Sequence, residues 1–320
     1  MPKYRKILVY GTGLIGGSFA LSMRKAAKEI IGYSRRPASM ETAMKLGLVD
    51  RAGINPAHDL PDADLVLIAT PVGQMPKVFE QISHHLGPDT LITDAGSTKQ
   101  DVIQAARINL GDKIANFVPA HPIAGAEYNG PASARDDLFA GKKVVLTPLP
   151  ENDDATLDRV KHAWALCGAE IHELTPERHD AIFAAVSHLP HLLSYGLVHD
   201  LVNRSETESY FNYAASGFRD FTRIAASHPE MWRDICLANR MALSEELARY
   251  QSVLDQLAGA LADNDGERLQ EIFASAQTAR RSWQKEKERI EEQPETNADA
   301  DADADADKKK KHKPDRKHSK

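Results

Sequence analysis

The sequence predicts a doubly wound α/β domain over residues 1–174 followed by an all-α domain over residues 175–292. Short apolar runs alternate with amphipathic helical stretches from Lys6 to about Leu174, the pattern of a parallel sheet covered by helices on both faces. From Thr175-Pro176 onward the apolar spacing is helical and strand signals stop. A glycine-rich turn directly after the first apolar run is the third sign. At 320 residues the chain is long enough for two domains of ordinary size, each with its own core.

The predicted strands are, in order, Ile7 to Tyr10, Glu29 to Tyr33, Leu65 to Thr70, Thr90 to Asp94, Asn116 to Ala120, Lys143 to Thr147 and Ala169 to Leu174. The unbroken run Leu65-Val66-Leu67-Ile68 has no polar face, as a strand at the centre of a parallel sheet requires. Thr175 before Pro176 is a helix cap followed by proline at the first helical position, so the second domain opens there. That domain is small for the apolar surface it carries, which predicts a homodimer. Residues 293–320, with alternating Ala and Asp to Asp307 and then a lysine run, contain nothing able to form a core and are expected to be disordered.

Composition narrows the function. Hydrophobic residues at 42% and charged residues at 27% give the balance of a globular protein. The formal net charge is −6, and the densest basic run, Lys308 to Lys320, lies beyond any folding pattern, so no nucleic-acid-binding face is expected and a small-molecule substrate is. Cys167 and Cys236 lack the spacing of a zinc site or a redox pair and read as reduced thiols. No stretch approaches the roughly 20 consecutive apolar residues of a membrane span, and Met1-Pro2-Lys3 leads straight into a strand. A cytoplasmic protein with no membrane partner is expected.

Gly11-Thr12-Gly13-Leu14-Ile15-Gly16 follows the first strand and opens a helix, the context in which G-x-G-x-x-G denotes a Rossmann-type dinucleotide site. Gly11 permits the turn, Gly13 lets backbone approach the pyrophosphate, and Gly16 lets the helix pack on the strand with its N-terminal amides toward the phosphates. At the end of the second strand, where an acidic residue normally reads the ribose, stands Ser34-Arg35-Arg36. A neutral Ser34 removes the repulsion of a 2′-phosphate and the two arginines are able to clamp it, which favours NADP. The alternative is that the arginines are solvated and NAD is accepted through backbone contacts.

Ligands in doubly wound folds bind beyond the carboxyl ends of the strands. Three such ends carry Thr70 in Ala69-Thr70-Pro71, Ser97 in Asp94-Ala95-Gly96-Ser97-Thr98-Lys99, and His121 in His121-Pro122-Ile123-Ala124-Gly125-Ala126-Glu127. His121 is the natural general base for an alcohol that gives up hydride, and Ser97 is placed to bond the same hydroxyl. Ser187-His188-Leu189-Pro190-His191 puts two histidines on one helical face. No cysteine or carboxylate cluster accompanies them, so they read as cleft lining or core histidines and no metal site is expected. Arg223, in Gly217-Phe218-Arg219-Asp220-Phe221-Thr222-Arg223, is costly amid apolar helix faces unless it meets an anion, either Asp220 or a substrate carboxylate. Met231-Trp232-Arg233 lies downstream.

These motifs, in this order, resemble the prephenate/arogenate dehydrogenase family of tyrosine biosynthesis from Lys6 to about Glu292. The resemblance implies oxidation of the cyclohexadienyl alcohol of prephenate with loss of its ring carboxylate, giving 4-hydroxyphenylpyruvate, or the corresponding conversion of arogenate to tyrosine. It implies that His121 and Ser97 act at the ring hydroxyl and that His191 and Arg223 hold a substrate carboxylate. It also implies that Glu127 and Asp220 join an ionic network with that arginine, that Trp232 lies near the pyruvyl side chain, and that the helical domain dimerises. A β-hydroxyacid dehydrogenase would need a catalytic lysine in the second domain, but there is none between Lys161 and Lys285. A catalytically silent nucleotide sensor would need the glycine loop and not His121, Ser97 and Arg223.

Overall fold

The computed structural model describes residues 3–125 and 129–291. β1 (Tyr4–Tyr10) turns through Gly11 into α1 (Leu14–Met23), and β2 (Ala27–Tyr33), α2 (Pro37–Lys45), β3 (Arg51–Ala52), α3 (Pro56–Asp59) and β4 (Leu65–Ile68) follow. α4 (Met75–Ser83), β5 (Leu91–Asp94), α5 (Gln100–Leu110) and β6 (Phe117–Val118) complete a six-stranded sheet of order β3-β2-β1-β4-β5-β6, with every pairing parallel. Side chains alternate across this sheet. Ile7, Val9, Leu65 and Leu67 enter one core with Phe19 and Met23 of α1, whereas Leu8, Tyr10, Val66 and Ile68 enter the other with Phe79 of α4 and Ile103 of α5. All four residues of β4 are buried, which is why its sequence has no polar face.

The sequence pattern put all later strands in the same parallel sheet, and the structure corrects this. β7 (Ala120–Pro122) leaves the main sheet and pairs antiparallel with β8 (Lys143–Leu146), which pairs parallel with β9 (Glu170–Glu173), forming a separate three-stranded sheet. Pro119 stands between β6 and β7; it has no N–H to continue the ladder, so the chain changes sheet there. β3 was not expected, since two residues of mixed character carry no period.

α6 (Asp154–Leu166) is capped by Asp153, which accepts from the Thr156 amide at 2.6 Å, and α7 (Pro176–Phe183) by Thr175, which accepts from the Arg178 amide at 3.2 Å. Residues 184–188 form a π-type turn before α8 (Leu189–Val202). Pro190 cannot donate to the preceding turn, and the wider coil there accommodates it. α9 (Thr207–Asn212), α10 (Ser216–Thr222), α11 (Pro229–Ala238), α12 (Arg240–Ala262) and α13 (Gly266–Glu291) follow. By compactness the chain divides within α12, into Met1–Ala248 and Arg249–Lys320. α7 to α11 belong to the first unit, and Trp232 and Ile235 of α11 lie in the same core as Tyr10 and Ile68.

Residues Pro176–Val202 form a 27-residue helical run whose best window has mean hydropathy 1.4, long and apolar enough to cross a membrane by those criteria alone. The sequence pattern predicts no such stretch because histidines, serines and the charged Glu177, Arg178, Asp180 and Asp200 punctuate this run. Only 28% of that window is buried, and His179, Asp180 and His188 of this run are bonded into the buried polar network with Lys99 and Asn239. The predicted disordered segment, 293–320, lies outside the described residues.

Candidate active site

The glycine turn fits a dinucleotide. Gly11 has φ +97°, and a Cβ there would strike the Ala69 carbonyl; a Cβ on Gly16 would strike the Gly11 carbonyl, so the helix approaches the strand as the motif requires. On Gly13, by contrast, a Cβ would meet nothing within 4 Å, which leaves open space where backbone faces a ligand. Leu14 is buried and Ile15 packs against the core, anchoring the start of α1. The hydroxyls of Thr12 and Thr70, at the carboxyl ends of β1 and β4, are buried without a hydrogen-bond partner among the described residues, as suits groups awaiting a polar ligand. Ser34 follows β2 and exchanges 3.3 Å bonds with the backbone of Arg36. Arg35 is exposed and reaches Glu230 only at 3.8 Å.

At the carboxyl end of β5 the D-A-G-S-T-K segment proves to be a scaffold. Asp94 and Lys99 are both fully buried and paired at 2.5 Å. The remaining Asp94 capacity accepts the amides of Gly96 at 2.8 Å and Ala120 at 2.9 Å, while Lys99 Nζ also donates to the Ala120 carbonyl at 2.7 Å. A buried pair with every group bonded on both sides fixes the backbone immediately before His121. Ser97 lies half-buried on the same segment.

His121, on β7, is one end of a chain of three side chains. Its Nδ1 lies 2.8 Å from His179 Nε2, and His179 Nδ1 lies 2.8 Å from Asp180 Oδ1. Asp180 in turn accepts the amides of Lys99 at 2.8 Å and Gln100 at 3.0 Å, at the start of α5. Burial by itself would raise the Asp180 carboxyl, but the bonds from His179 and from these two amides outweigh it and hold it below its ordinary range, ionised. An ionised carboxylate only accepts. His179 therefore carries its proton on Nδ1, its Nε2 accepts, His121 must donate from Nδ1, and the lone pair of His121 Nε2 is left free. Burial, and then the fields of His179, Lys99 and His188, push His121 well below 6.5, so it is a neutral acceptor at physiological pH. Burial lowers His179 likewise, outweighing Asp180.

His191, on α8, bonds the Ser187 carbonyl through Nδ1 at 2.9 Å and stacks on Trp232 at 3.5 Å with a 17° interplanar angle. Burial lowers it, and the positive field of Arg223 adds to this. Arg223 is exposed and lines a hollow of about 370 Å3 with Phe218, Arg219 and Thr222. No ion pair joins it to Asp220 among the described residues, so that of the two anions expected for it, the intrachain one is not engaged. Glu127 lies outside the described residues. The histidines of S-H-L-P-H do face one way, both against Trp232.

Sequence reasoning missed His179, Asp180 and Asn239 and gave Lys99 no role. His179 meets His121 across 58 positions, and no local period signals such a contact. The adjacent His-Asp pair at the start of a helix was the available clue.

A nucleotide-binding turn at the switch point of a parallel sheet, together with a neutral histidine whose acceptor nitrogen is free, defines a nicotinamide-dependent oxidoreductase. Residues 19–173 match the family model described as prephenate dehydrogenase, nucleotide-binding domain, and residues 175–275 match prephenate dehydrogenase, dimerization domain. The chain is 35% identical to prephenate dehydrogenase of Bacillus subtilis over 86% of its length and 75% of the relative's, and 35% identical to cyclohexadienyl dehydrogenase of Zymomonas mobilis over 88% and 96%. Its fold matches the crystal structure of Aquifex aeolicus prephenate dehydrogenase in complex with hydroxyphenyl propionate and NAD+ with a TM-score of 0.81, at 34% identity over 87% of this chain and 98% of that one. Synechocystis arogenate dehydrogenase matches at 0.72, with 30% identity over 87% and 99%. The chain belongs to the prephenate dehydrogenase family.

Proposed function

We propose that the chain is a prephenate dehydrogenase, converting prephenate to 4-hydroxyphenylpyruvate and carbon dioxide, with arogenate as the alternative substrate. The observation that carries this reading is the Asp180, His179, His121 chain, which leaves His121 Nε2, on β7, as an acceptor with no partner among the described residues. The ring hydroxyl donates to His121 Nε2, with Ser97 bonding the same oxygen. As the proton moves to Nε2, the imidazolium is stabilised through His179 by the Asp180 carboxylate. A bound nicotinamide supplies the hydride acceptor. Loss of the ring carboxylate as carbon dioxide then makes the ring aromatic, so the protein's work is placement and proton removal. His191 and Arg223 hold a carboxylate of the substrate and Trp232 orients His191 and the side chain beside it, with Glu127 and Asp220 as the acidic residues that the family resemblance assigns to the arginine's ionic network.

Gly11, Thr12, Gly13, Leu14, Ile15, Gly16 and Thr70 would hold the dinucleotide, and Ser34, Arg35 and Arg36 favour NADP over NAD. What supports the preference is that β2 ends without a carboxylate and that Arg35 has only a distant exposed partner. Residues 1–174 act as the dinucleotide domain and 175–292 as the helical substrate domain. Exposed Val186, Leu197, Phe221 and Met241 on the latter suit burial in a homodimer. The free thiols, Cys167 and Cys236, suit the reducing cytoplasm.

The test is steady-state oxidation of prephenate and of arogenate with NAD and with NADP, comparing four kcat/KM values. Prephenate turnover with NADP preferred is the expected result. No turnover in any combination by protein that binds nucleotide overturns the reading and favours a silent sensor.

A further inference from the structure

His188 has no part in the mechanism above, yet it is 1% exposed and sits among groups that do. Its surroundings fix its chemistry. Asn239, the residue that ends α11, donates from Nδ2 to the Asp180 backbone carbonyl at 2.8 Å, and a carbonyl only accepts, so the orientation of this amide is determined. The same Nδ2 lies 3.1 Å from His188 Nδ1. Nδ1 is therefore the acceptor, and the ring is a neutral imidazole with its proton on Nε2. That Nε2–H is buried and has no partner among the described residues. Beside it, with ring centroids 6.1 Å apart, the indole Nε1–H of Trp232 is buried and equally without a partner. Two orphaned donors on neighbouring rings are expensive unless something arrives to accept from them.

The groups facing His188 narrow what arrives. Burial dominates and pushes it down to about 4; Asp180 favours a charge on it, as does the Ser97 backbone, which is close but not in bonding geometry, whereas His179 and His191 disfavour one. A permanently neutral donor does not recruit a carboxylate as an ion pair does; it suits a carbonyl, amide or hydroxyl oxygen.

We propose that His188 is a ligand-binding residue whose Nε2–H, held in that tautomer by Asn239, donates to an uncharged acceptor oxygen of the bound reactants beside Ser97. Two sources offer such an oxygen, the carboxamide of a nicotinamide and a hydroxyl or keto oxygen of the substrate. The inference rests on the dehydrogenase reading for the identity of these ligands, and the two fail separately: a wild-type enzyme without turnover sinks the reaction, while the cofactor dissociation constants and the nitrogen-15 shifts on adding NADP or prephenate still test the donor.

Three preparations are compared: the wild type, His188→Leu, which removes the donor, and His188→Gln, whose amide nitrogen reaches to nearly the place of Nε2. Dissociation constants are measured for NADP and for NAD alone, and KM for prephenate at saturating cofactor, with thermal unfolding run in parallel. His188→Leu is expected to weaken one ligand by about 5-fold to 10-fold, as loss of one neutral hydrogen bond does, and His188→Gln to recover most of that loss. Weakening of cofactor binding identifies the carboxamide; a rise in KM alone identifies the substrate. Unchanged values for both ligands, or equal losses in both variants, overturn the proposal. Should His188→Leu fail to fold, nitrogen-15 spectra of histidine-labelled wild type decide: a protonated Nε2 whose proton resonance moves on adding NADP or prephenate supports it, and one that neither ligand moves overturns it.

Discussion

Asp180→Asn isolates the tautomer argument. In the wild type the direction of every bond in the chain follows from a carboxylate that can only accept from His179. The amide of asparagine keeps one acceptor oxygen; with it on the Oδ2 side, where Gln100 donates, the NH2 takes the place of Oδ1, which serves both His179 and the Lys99 amide. Its NH2 then faces His179 Nδ1. His179 must carry its proton on Nε2 instead, His121 Nδ1 becomes the acceptor, and His121 Nε2 becomes N–H. The base is not displaced but reversed, with a proton where its lone pair should be. General-base catalysis contributes about 10²- to 10⁴-fold, or roughly 3–5 kcal/mol of barrier at about 1.4 kcal/mol per tenfold, and kcat should fall by that range. KM and cofactor affinity should stay within about 3-fold, since no ligand-binding group is touched. A merely structural role for Asp180 would move the melting temperature and leave the pH profile alone, so the profile is the discriminating readout. Wild-type kcat/KM should fall on the acid side with a midpoint below 6.5, because burial and neighbouring charges hold His121 neutral down to lower pH. In the variant that limb should flatten. A variant within 3-fold of wild-type kcat, with the same acid limb, would refute the assignment of the His121 tautomer.

Other consequences are equally direct. Lys99→Met leaves Asp94 fully buried without its counter-charge and removes the donor to Ala120, so unfolding by denaturant should show a loss of about 3–5 kcal/mol; a loss under about 1 kcal/mol would mean the pair does not hold the β5 end to β7. Acid stability follows from the histidines. Folded His121, His179 and His188 bind protons less readily than the unfolded chain, so stability is full above about pH 6.5 and is lost as pH falls toward about 4, by up to about 1.4 kcal/mol per pH unit for each. A stability that is flat from pH 7 to 4.5 in denaturant titrations contradicts those depressed values. Ser34→Asp should shift the NADP to NAD ratio of kcat/KM toward NAD by about tenfold or more, one tenfold being roughly 1.4 kcal/mol, and an unchanged ratio would show that the end of β2 does not read the 2′-phosphate.

Local pattern was enough for much of this protein. The glycine turn after β1, the all-apolar β4 and the cap-and-proline start of α7 are short-range features whose physics lies within a few residues, and they could be read directly. His121, Ser97, His191 and Arg223 were legible as candidates because histidines, arginines and polar strand ends in apolar surroundings are costly unless used, and Trp232 only through the family resemblance. Where the chain left the main sheet was not legible: Pro119 forbids a ladder bond, but only the pairing of β7 with β8 decides where the chain goes next. The same limit applies to the site. His121, His179 and Asp180 come from β7 and from the start of a helix more than fifty residues later, and Asn239 joins them from the end of α11. Which nitrogen of a histidine carries the proton depends on partners brought together only by packing, so the residue types were set by the sequence and their protonation and direction of bonding by the tertiary structure.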